Sequence, residues 1–301
     1  MDASIELVKH LLPSVVHIHT EIPASHPSTA TLGDERMGTG AVVDRAGLIL
    51  TVNYVVMGGR SIEVVLDRGR TQKAEIVAQD FDVGLAVLKI KRQNLTAVEL
   101  LSSEELSLGA PVFAVAAMGP RERRVAGGVI TRLGEFEAYW EYRLERGILS
   151  SAPNPGFGGG ALFTMSGKMA GTVSLNLNEI SRNSLTIPSE CFARHREELL
   201  RHGRIVSRPV RAWLGVFAHP LDEGIVVAGL VPNGPGARSG VQEGDVIVGL
   251  DSREISSLKE LYLTLWRHAP GEKIALEVLR DNELRVLNVV GGDRAVFYKQ
   301  P

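Results

Sequence analysis

The sequence has almost no cysteine, since Cys191 is the only one in 301 residues. An intrachain disulfide is therefore excluded, and no cluster of cysteines and histidines has the spacing of a zinc site. The sequence also lacks a large excess of positive or negative residues, since it has 33 Lys and Arg and 35 Asp and Glu. Interspersed charges of both signs argue against a nucleic-acid partner and against an anionic membrane surface. The sequence indicates no metal and no organic cofactor.

Long apolar runs are absent too. No stretch approaches the length of a membrane span, and the first twenty residues have an acidic start and no apolar core of signal-peptide length. As written, the sequence predicts a cytoplasmic protein, whereas a truncated N-terminus would allow a periplasmic or other extracytoplasmic location. The length and the ordinary apolar and charged fractions allow two or three globular domains.

Short apolar runs with β-branched residues, separated by turn residues, dominate the sequence up to residue 187. Many short strands with few helices favour an all-β sandwich or barrel. Helical patterns at 5–12 and 189–202 flank this region, and Gly203 ends the second. His17 and His19 alternate with apolar residues on a predicted strand, and we expect both to face solvent. The proline-, serine- and threonine-rich stretch 21–36 predicts a mobile loop.

The polar, proline-containing stretch 204–211 is typical of an interdomain linker. The pattern of apolar residues changes after it. Residues 213–289 combine several short strands with one amphipathic helix, and this pattern indicates an α+β domain. The predicted organisation is a first domain at 1–203, a linker at 204–211, a second domain at 212–292 and a tail at 293–301.

Residues 150–162, SSAPNPGFGGGAL, form a glycine-dense segment between two strand-like runs. Its glycines can adopt positive φ and allow other backbone to approach closely. Such a loop can point successive N–H groups at one spot, as in an anion-binding nest or an oxyanion hole. A phosphate-binding loop is disfavoured because no Gly-Lys-Ser/Thr closes the segment. A plain tight turn stays open as an alternative.

The same segment resembles the nucleophile loop of the HtrA/DegP-like family of chymotrypsin-like serine proteases, in which Asn-Pro-Gly-Asn-Ser-Gly-Gly carries the catalytic serine. Asn154, Pro155 and Gly156 match this pattern, Phe157 replaces the second asparagine, and Gly158 stands at the serine position. The resemblance implies a mostly β fold, with a chymotrypsin-like double six-stranded β-barrel followed by an α+β PDZ domain.

The other two positions of the family's catalytic triad also differ. Tyr54 stands where the Thr-Asn-x-His-Val-Val segment has its histidine, and Gly84 stands where an aspartate precedes Leu-Ala-Val-Leu-Lys-Ile. A phenol, with a pKa near 10, is a poor base at neutral pH. Asp82 is a poor substitute carboxylate, because two residues of extended chain span roughly 6 to 7 Å. The resemblance therefore implies a degenerate triad at Tyr54, Gly84 and Gly158, a vestigial oxyanion loop at 154–157, and a pseudoprotease that is not an enzyme.

Residues 211–290 resemble the PDZ domain of this family, through Trp213-Leu214-Gly215-Val216 and Gly240-Val241-x-x-Gly244-Asp245-Val246-Ile247. The resemblance implies that a peptide C-terminus adds a strand beside residues 216–218 while backbone N–H groups near Leu214 and Gly215 bind its carboxylate. Trp213 is expected to be packed, and a groove that is blocked or used for intramolecular docking is the alternative. The implied peptide-binding residues are Trp213, Leu214, Gly215, Val216, Phe217, Leu258, Leu261, Tyr262 and Leu265.

We consider three hypotheses for function. The first is an inactive HtrA-like protein that binds peptide or protein C-termini, or acts as a scaffold, through its PDZ groove and former substrate cleft. The second is an active serine endopeptidase of protein quality control that uses other residues. The third is a structural subunit in a homotrimer or in a hetero-oligomer with an active relative. The residues considered for the second hypothesis are Ser150, Ser151, Ser166, His195, His202, His219 and His268, none of which has a recognisable partner in the family frame.

Overall fold

The computed structural model of the chain describes residues 2–177, 181–221 and 224–299. These residues form two units, one of residues 2–135 and 145–206 and the other of residues 136–144 and 207–299. The short segment 136–144 therefore belongs to the second unit, although the first unit surrounds it in sequence. The domain boundaries given above stay predictions, and positions 300 and 301 of the predicted tail lie outside the described residues.

The first unit contains two closed six-stranded antiparallel barrels. In the first barrel the strand order is β1-β2-β3-β6-β5-β4, and in the second it is β10-β11-β12-β9-β8-β7. The strands of the first barrel are β1 (Val15–Glu21), β2 (Glu35–Asp44), β3 (Leu48–Val52), β4 (Ser61–Val65), β5 (Thr71–Asp80) and β6 (Leu85–Ile90). Those of the second are β7 (Pro111–Ala117), β8 (Arg123–Ala138), β9 (Tyr142–Ser150), β10 (Gly160–Thr164), β11 (Met169–Asn176) and β12 (Ser184–Pro188).

Pairing at both edges explains why these short strands are stable. β1 pairs with β2 on one side and with β4 on the other, which closes the first barrel and leaves no open edge. All five residues of β3 are buried, as are five of the six residues of β6. The expectation of a mostly β, double-barrel fold is confirmed.

Helices in the first unit are short and lie between or beside the barrel strands. They are α1 (Asp2–Leu11), α2 (Thr29–Leu32), α3 (Asn53–Val56), α4 (Glu190–Ala193) and α5 (Arg196–His202). Gly203 ends α5 with a left-handed φ of 70°, and its N–H donates to Leu199 O, as a glycine cap should. Among the described residues, no helix is both long and apolar enough to cross a membrane.

The second unit is a PDZ-type α+β fold built on a sheet of order β13-β14-β15-β17-β18, to which β16 adds beside β15. Its strands are β13 (Val216–Leu221), β14 (Gly224–Leu230), β15 (Val246–Leu250), β16 (Arg253–Glu254), β17 (Lys273–Arg280) and β18 (Glu283–Val290). Its helices are α6 (Pro235–Arg238), α7 (Leu258–Leu265) and α8 (Arg294–Phe297). The α+β expectation for this part of the chain is confirmed.

Two local expectations were wrong. His17 is only 2% exposed, and its imidazole faces the ring of Phe157 at 5.8 Å between centroids. The stretch 21–36 contains α2 and is organised by the buried side chain of Arg36. The Arg36 guanidinium donates to Tyr54 O (2.8 Å) and to Ser28 Oγ (2.5 Å). Buried hydrogen bonds therefore fix a segment whose composition suggested a mobile loop.

Candidate functional site

The glycine-rich loop at 150–162 runs from the end of β9 to β10 in the second barrel. Phe157 N–H donates to Ala117 O on β7 (2.9 Å), and Gly159 N–H donates to Val173 O on β11 (2.9 Å). These backbone bonds attach the loop to two different strands. The loop is consequently a fixed turn within the second barrel.

Thr39 on β2 connects this loop to the first barrel. The Thr39 N–H donates to Gly158 O (2.7 Å), and the Thr39 hydroxyl donates to Phe157 O (2.8 Å). Gly159 has a left-handed φ of 93°, and a Cβ there would overlap Thr39 O and lie 2.6 Å from Thr51 Oγ1. Backbone conformation and lack of space both require glycine at position 159.

The predicted vestigial oxyanion loop has both paired and unpaired N–H groups. Asn154 N–H donates to Asn176 Oδ1 (2.9 Å) and to Ser184 Oγ (3.0 Å), and Pro155, which follows, has no N–H. In the part of the chain that the structure describes, the N–H groups of Gly156 and Gly158 have no hydrogen-bond acceptor. Unpaired N–H groups in one loop can bind a carbonyl or anionic oxygen. The oxyanion role of this loop stays a prediction.

Tyr54, at the position where the resemblance expects a histidine, extends from α3 to the glycine loop. Its hydroxyl donates to Ser174 O on β11 (2.7 Å). A Cβ on residue 158 would overlap this hydroxyl and lie 2.9 Å from Tyr54 Cζ. Burial raises the pKa of the Tyr54 phenol above its ordinary value, so the phenol stays protonated. Tyr54 therefore fills the place that a serine side chain at position 158 would need.

Gly84, at the position where an aspartate is expected, is part of a tight turn before β6. It has a left-handed φ of 77°, its N–H donates to Asp80 O (2.9 Å), and its carbonyl accepts from Asn53 N–H (2.7 Å). The carboxylate of Asp80 accepts from Asp82 N–H (3.0 Å) within the same turn. This turn supplies no carboxylate side chain at position 84.

The predicted carboxylate-binding loop of the second unit binds a carboxylate in this structure, and the carboxylate belongs to the chain itself. Leu214 N–H donates to Glu141 Oε2 (3.0 Å), and the N–H groups of Gly215 and Val216 donate to Glu141 Oε1 (2.6 and 3.0 Å). Glu141 is 4% exposed. Burial raises the pKa of the Glu141 carboxyl, and the three N–H donors act against that shift. The loop thus has the geometry to bind an anionic carboxyl group.

The other predicted peptide-binding residues are mainly part of the core of the second unit. Trp213 is packed, as expected, with its ring 4.9 Å from that of Phe297 between centroids. Tyr262 directs its hydroxyl to Ala138 O (2.6 Å), in the segment that carries Glu141. Leu214, Val216, Leu261, Tyr262 and Leu265 are at most 1% exposed, whereas Phe217 and Leu258 are partly exposed. Peptide binding by these residues stays a prediction.

Comparison with known proteins gives two family matches, a trypsin-like peptidase domain at residues 38–171 and a PDZ domain at residues 212–290. The probable periplasmic serine endoprotease DegP-like of Halomonas elongata is 31% identical over 278 residues, which cover 85% of this chain and 56% of that protein. Serine endoprotease DegS of Haemophilus influenzae is 28% identical over 92% of this chain and 84% of its own length. The solved structure of HtrA-type protease AlgW with tripeptide has a TM-score of 0.60 and 28% identity, covering 96% of both chains. The chain belongs to the HtrA-like serine protease family.

The relatives contradict the expectation that this HtrA-like chain is not an enzyme. They are named serine endoproteases and share its trypsin-like domain, so the comparisons point to a protease. The expectation depended on three positions, and those positions alone do not outweigh a likeness that extends over most of the chain. The HtrA-like chain spans about half the length of the DegP-like relatives it matches, 56% in the first of them.

One serine hydroxyl of the HtrA-like chain does contact an imidazole, outside the glycine loop. Ser28 Oγ lies 2.7 Å from His26 Nδ1 and also accepts from Arg36. Ser28 and His26 are 3% and 2% exposed, so a substrate cannot reach either side chain. The pair is part of the buried network that orders residues 21–36. It is a structural pair and lacks the access that a nucleophile requires.

The serines and histidines considered above as substitute catalytic residues have other contacts. Ser151 Oγ accepts from Val129 N–H (3.0 Å), and Ser166 Oγ is 2.8 Å from Thr164 Oγ1. His268 lies between two carboxylates, those of Asp251 (2.7 Å) and Glu272 (3.1 Å). In the described ranges of the first unit, Ser150, Ser151 and Ser166 make no hydrogen bond to His195 or His202.

Sequence reasoning missed Glu141 and misjudged the exposure of His17. Glu141 is 73 residues before Leu214, and neither a motif nor periodicity indicates that they meet. His17 was recognised but was expected to face solvent. It shares a face of β1 with the partly exposed His19, so alternation alone does not reveal that the Phe157 ring packs against it.

Proposed function

We propose that this HtrA-like chain binds peptides or protein segments, through its PDZ groove and through the cleft where the glycine loop meets α3. Positions 54, 84 and 158 do not act as a Ser-His-Asp triad in this proposal. The main support for this proposal is that three successive N–H groups, those of Leu214, Gly215 and Val216, donate to one carboxylate, that of Glu141. A peptide C-terminus presents the same chemical group.

The contacts of the cleft support recognition rather than acyl transfer at the family's positions. A serine-protease mechanism requires a hydroxyl, an imidazole and a carboxylate that converge. Position 158 carries no side chain, Tyr54 donates its hydroxyl to Ser174 O, and Gly84 carries no carboxylate. The unpaired N–H groups of the loop remain suitable for binding the carbonyl oxygen of an extended peptide.

The relatives favour a second candidate, a serine endopeptidase of protein quality control that uses residues outside the family triad. Its support is the serine endoprotease names of the DegP-like and DegS relatives. The two candidates differ in one chemical property, which is whether the chain contains a serine that attacks an acyl or phosphonyl centre. A fluorophosphonate probe measures this property directly.

The test of hydrolysis compares the natural chain with a restored variant. We expect fluorophosphonate labelling of the variant Tyr54→His/Gly84→Asp/Gly158→Ser, whereas the natural chain should be labelled only if a serine outside the family's three positions is the nucleophile. The matched control is Gly158→Ser alone, which should stay unlabelled because Tyr54 occupies the space of the new side chain. The aspartate at position 84 should be strained by about 1 kcal/mol, because it must adopt the left-handed φ of Gly84. Labelling of the natural chain would establish the second candidate.

The test of binding uses the full chain and a library of peptides with free C-termini. We expect bound peptides to lose affinity when their C-termini are amidated, because amidation removes the carboxylate that accepts from the N–H groups of residues 214–216. Peptides that bind equally well after amidation would contradict carboxylate recognition by this loop.

Assembly and location belong to the same proposal. A homotrimer, or a hetero-oligomer with an active relative, is implied only by the family resemblance, and the mass of the particle in solution tests it. A mass equal to one chain would contradict assembly. The periplasmic name of the DegP-like relative favours an extracytoplasmic location over a cytoplasmic one. Cell fractionation distinguishes the two locations.

A further inference from the structure

The segment that carries Glu141 lies along the PDZ groove, in the second unit. Ala218 N–H on β13 donates to Tyr139 O (2.7 Å), which is the backbone pairing expected of a bound peptide strand. From the opposite side, Tyr262 on α7 donates its hydroxyl to Ala138 O (2.6 Å) and accepts from Glu141 N–H (3.2 Å). The backbone of residues 138–141 therefore contacts both β13 and α7.

The conformation of Glu141 directs its side chain to the carboxylate-binding loop. Glu141 has a left-handed φ of 55°, which is uncommon for a residue other than glycine. Its carbonyl accepts from Arg294 Nη1 (3.2 Å), while its carboxylate accepts from the three N–H groups of residues 214–216. The carboxylate is therefore bound in the way a terminal carboxylate would be.

We propose that residues 138–142 are an intrachain ligand of the PDZ groove, with the Glu141 carboxylate in place of a peptide C-terminus. This inference rests on the proposed function and deepens it, because it adds a competitor for the same site. An external peptide binds only when it displaces this segment. Its apparent affinity is reduced by the fraction of molecules in which the groove is free.

The same contacts define the external ligand that fits best. Tyr139 stacks on His219 at 4.5 Å between ring centroids and meets the edge of Phe217 at 6.0 Å. The Tyr139 carbonyl accepts from Ala218 N–H on β13, so Tyr139 defines the register of the segment along the groove. A peptide that ended two residues after Tyr139 would have its terminal carboxylate slightly short of the position of the Glu141 carboxylate. A peptide that ended three residues after Tyr139 would have it slightly beyond that position. We therefore expect a preference for an aromatic residue two or three positions before a free C-terminus.

Two substitutions in the full chain remove the intrachain ligand in different ways. Glu141→Gln keeps the length of the side chain but turns one acceptor into an NH₂ group that faces N–H donors. Glu141→Gly removes the carboxylate and suits the left-handed φ. The matched control is Glu145→Gln, the same change four residues further along the chain, at an exposed position on β9 that belongs to the first unit.

The first measurement is amide hydrogen exchange of residues 213–218, which requires no external peptide. In the natural chain and in Glu145→Gln these amides should be protected. In Glu141→Gly the amides of Leu214, Gly215 and Val216 should exchange at least about tenfold faster, because all three lose their acceptor. In Glu141→Gln the increase should be limited to the amides that face the new NH₂ group, because the remaining carbonyl oxygen still accepts. Unchanged exchange in Glu141→Gly would overturn the intrachain ligand, whatever external peptides do.

The second measurement is the affinity of fluorescein-labelled peptides that end in Tyr-Ala-Val or Tyr-Ala-Ala-Val with a free carboxylate. We expect Glu141→Gln to bind one of them at least about tenfold more tightly than the natural chain and the control do. The same peptide with Ala in place of Tyr, or with an amidated end, should bind more weakly. Equal affinity in all chains would overturn displacement while leaving carboxylate binding intact. Faster exchange without any peptide binding would instead contradict the proposed function.

Discussion

The surroundings of His17 disfavour the protonated, charged form of its imidazole. His17 is 2% exposed, and its Nδ1 has no hydrogen-bond partner among the described residues. Burial, together with the positive charge of Arg123, lowers the pKa of His17 to about 4. The folded chain therefore keeps this imidazole neutral at pH values where the unfolded chain protonates it.

We predict that His17 makes the first unit sensitive to mild acid. Between the unfolded pKa of about 6.5 and the folded pKa of about 4, the unfolded state binds more protons, so stability falls as the pH falls through this range. From about pH 7.5 to about pH 5, the loss should be about 2 kcal/mol of unfolding free energy. Urea unfolding of the natural chain and of His17→Leu at both pH values measures it, and the variant should lack this loss.

The control for this prediction lies on the same strand. His19 pairs with Glu35 (2.8 Å) and is partly exposed, so His19→Gln should keep the acid sensitivity of the natural chain. An equal pH dependence in His17→Leu and in the natural chain would show that other groups cause it.

The three positions that align with the family's catalytic triad illustrate what the sequence can predict about single residues. The family motifs align Tyr54, Gly84 and Gly158 with the triad, and these residues lie in α3, in the turn before β6 and in the loop before β10. The motifs could not predict that Tyr54 and a side chain at position 158 exclude each other, since that depends on an approach between residues of two barrels. Nor could they predict the left-handed φ of Gly84, because many glycines adopt negative φ.

At the scale of elements, strands were predicted well and their long-range partners were not. Short β-branched runs between turn residues predicted the barrel strands, and Gly203 correctly predicted the end of α5. The tip of the β8–β9 hairpin carries three aromatic residues within 138–142, but this local pattern does not reveal that the tip belongs to the second unit. Contacts between residues far apart in sequence depend on the whole fold and not on a local period.

Arg123 shows how one side chain can join three elements. It lies on β8, and its Nε donates to Val15 O on β1 (2.8 Å) while its Nη2 donates to Val65 O on β4 (2.9 Å). The guanidinium fork satisfies two carbonyls of the first barrel from a strand of the second. A lysine has one compact donor group and cannot bond both carbonyls in this geometry.

We predict that Arg123→Lys lowers the unfolding free energy by about 1 to 3 kcal/mol, because at least one buried carbonyl loses its charged donor. Arg124→Lys is the matched control, since Arg124 is exposed and pairs with Glu122. Its effect should be within about 0.5 kcal/mol of zero. Urea unfolding monitored by far-ultraviolet circular dichroism measures both variants. Equal effects would contradict a joining role for Arg123.

At the scale of the whole molecule, the two units have separate hydrophobic cores and separate spectroscopic probes. The core of the second unit includes Ile247 and Leu276, both fully buried, and the second barrel has its own core around Ile148 and Leu162. All three tryptophans of the sequence belong to the second unit, because Trp140 lies in the segment 136–144. Tryptophan fluorescence therefore reports on the second unit, while hydrogen exchange in β7 reports on the first.

We predict that matched core substitutions separate the two units. Ile247→Ala should lower the stability that tryptophan fluorescence reports by about 2 to 5 kcal/mol, through lost burial and a cavity, with little effect on exchange in β7. Ile148→Ala, at an equally buried position, should have the opposite pattern. Both variants are compared in urea with both probes. If each substitution shifted both probes equally, the two units would unfold as one cooperative structure, and a single free energy would describe the chain.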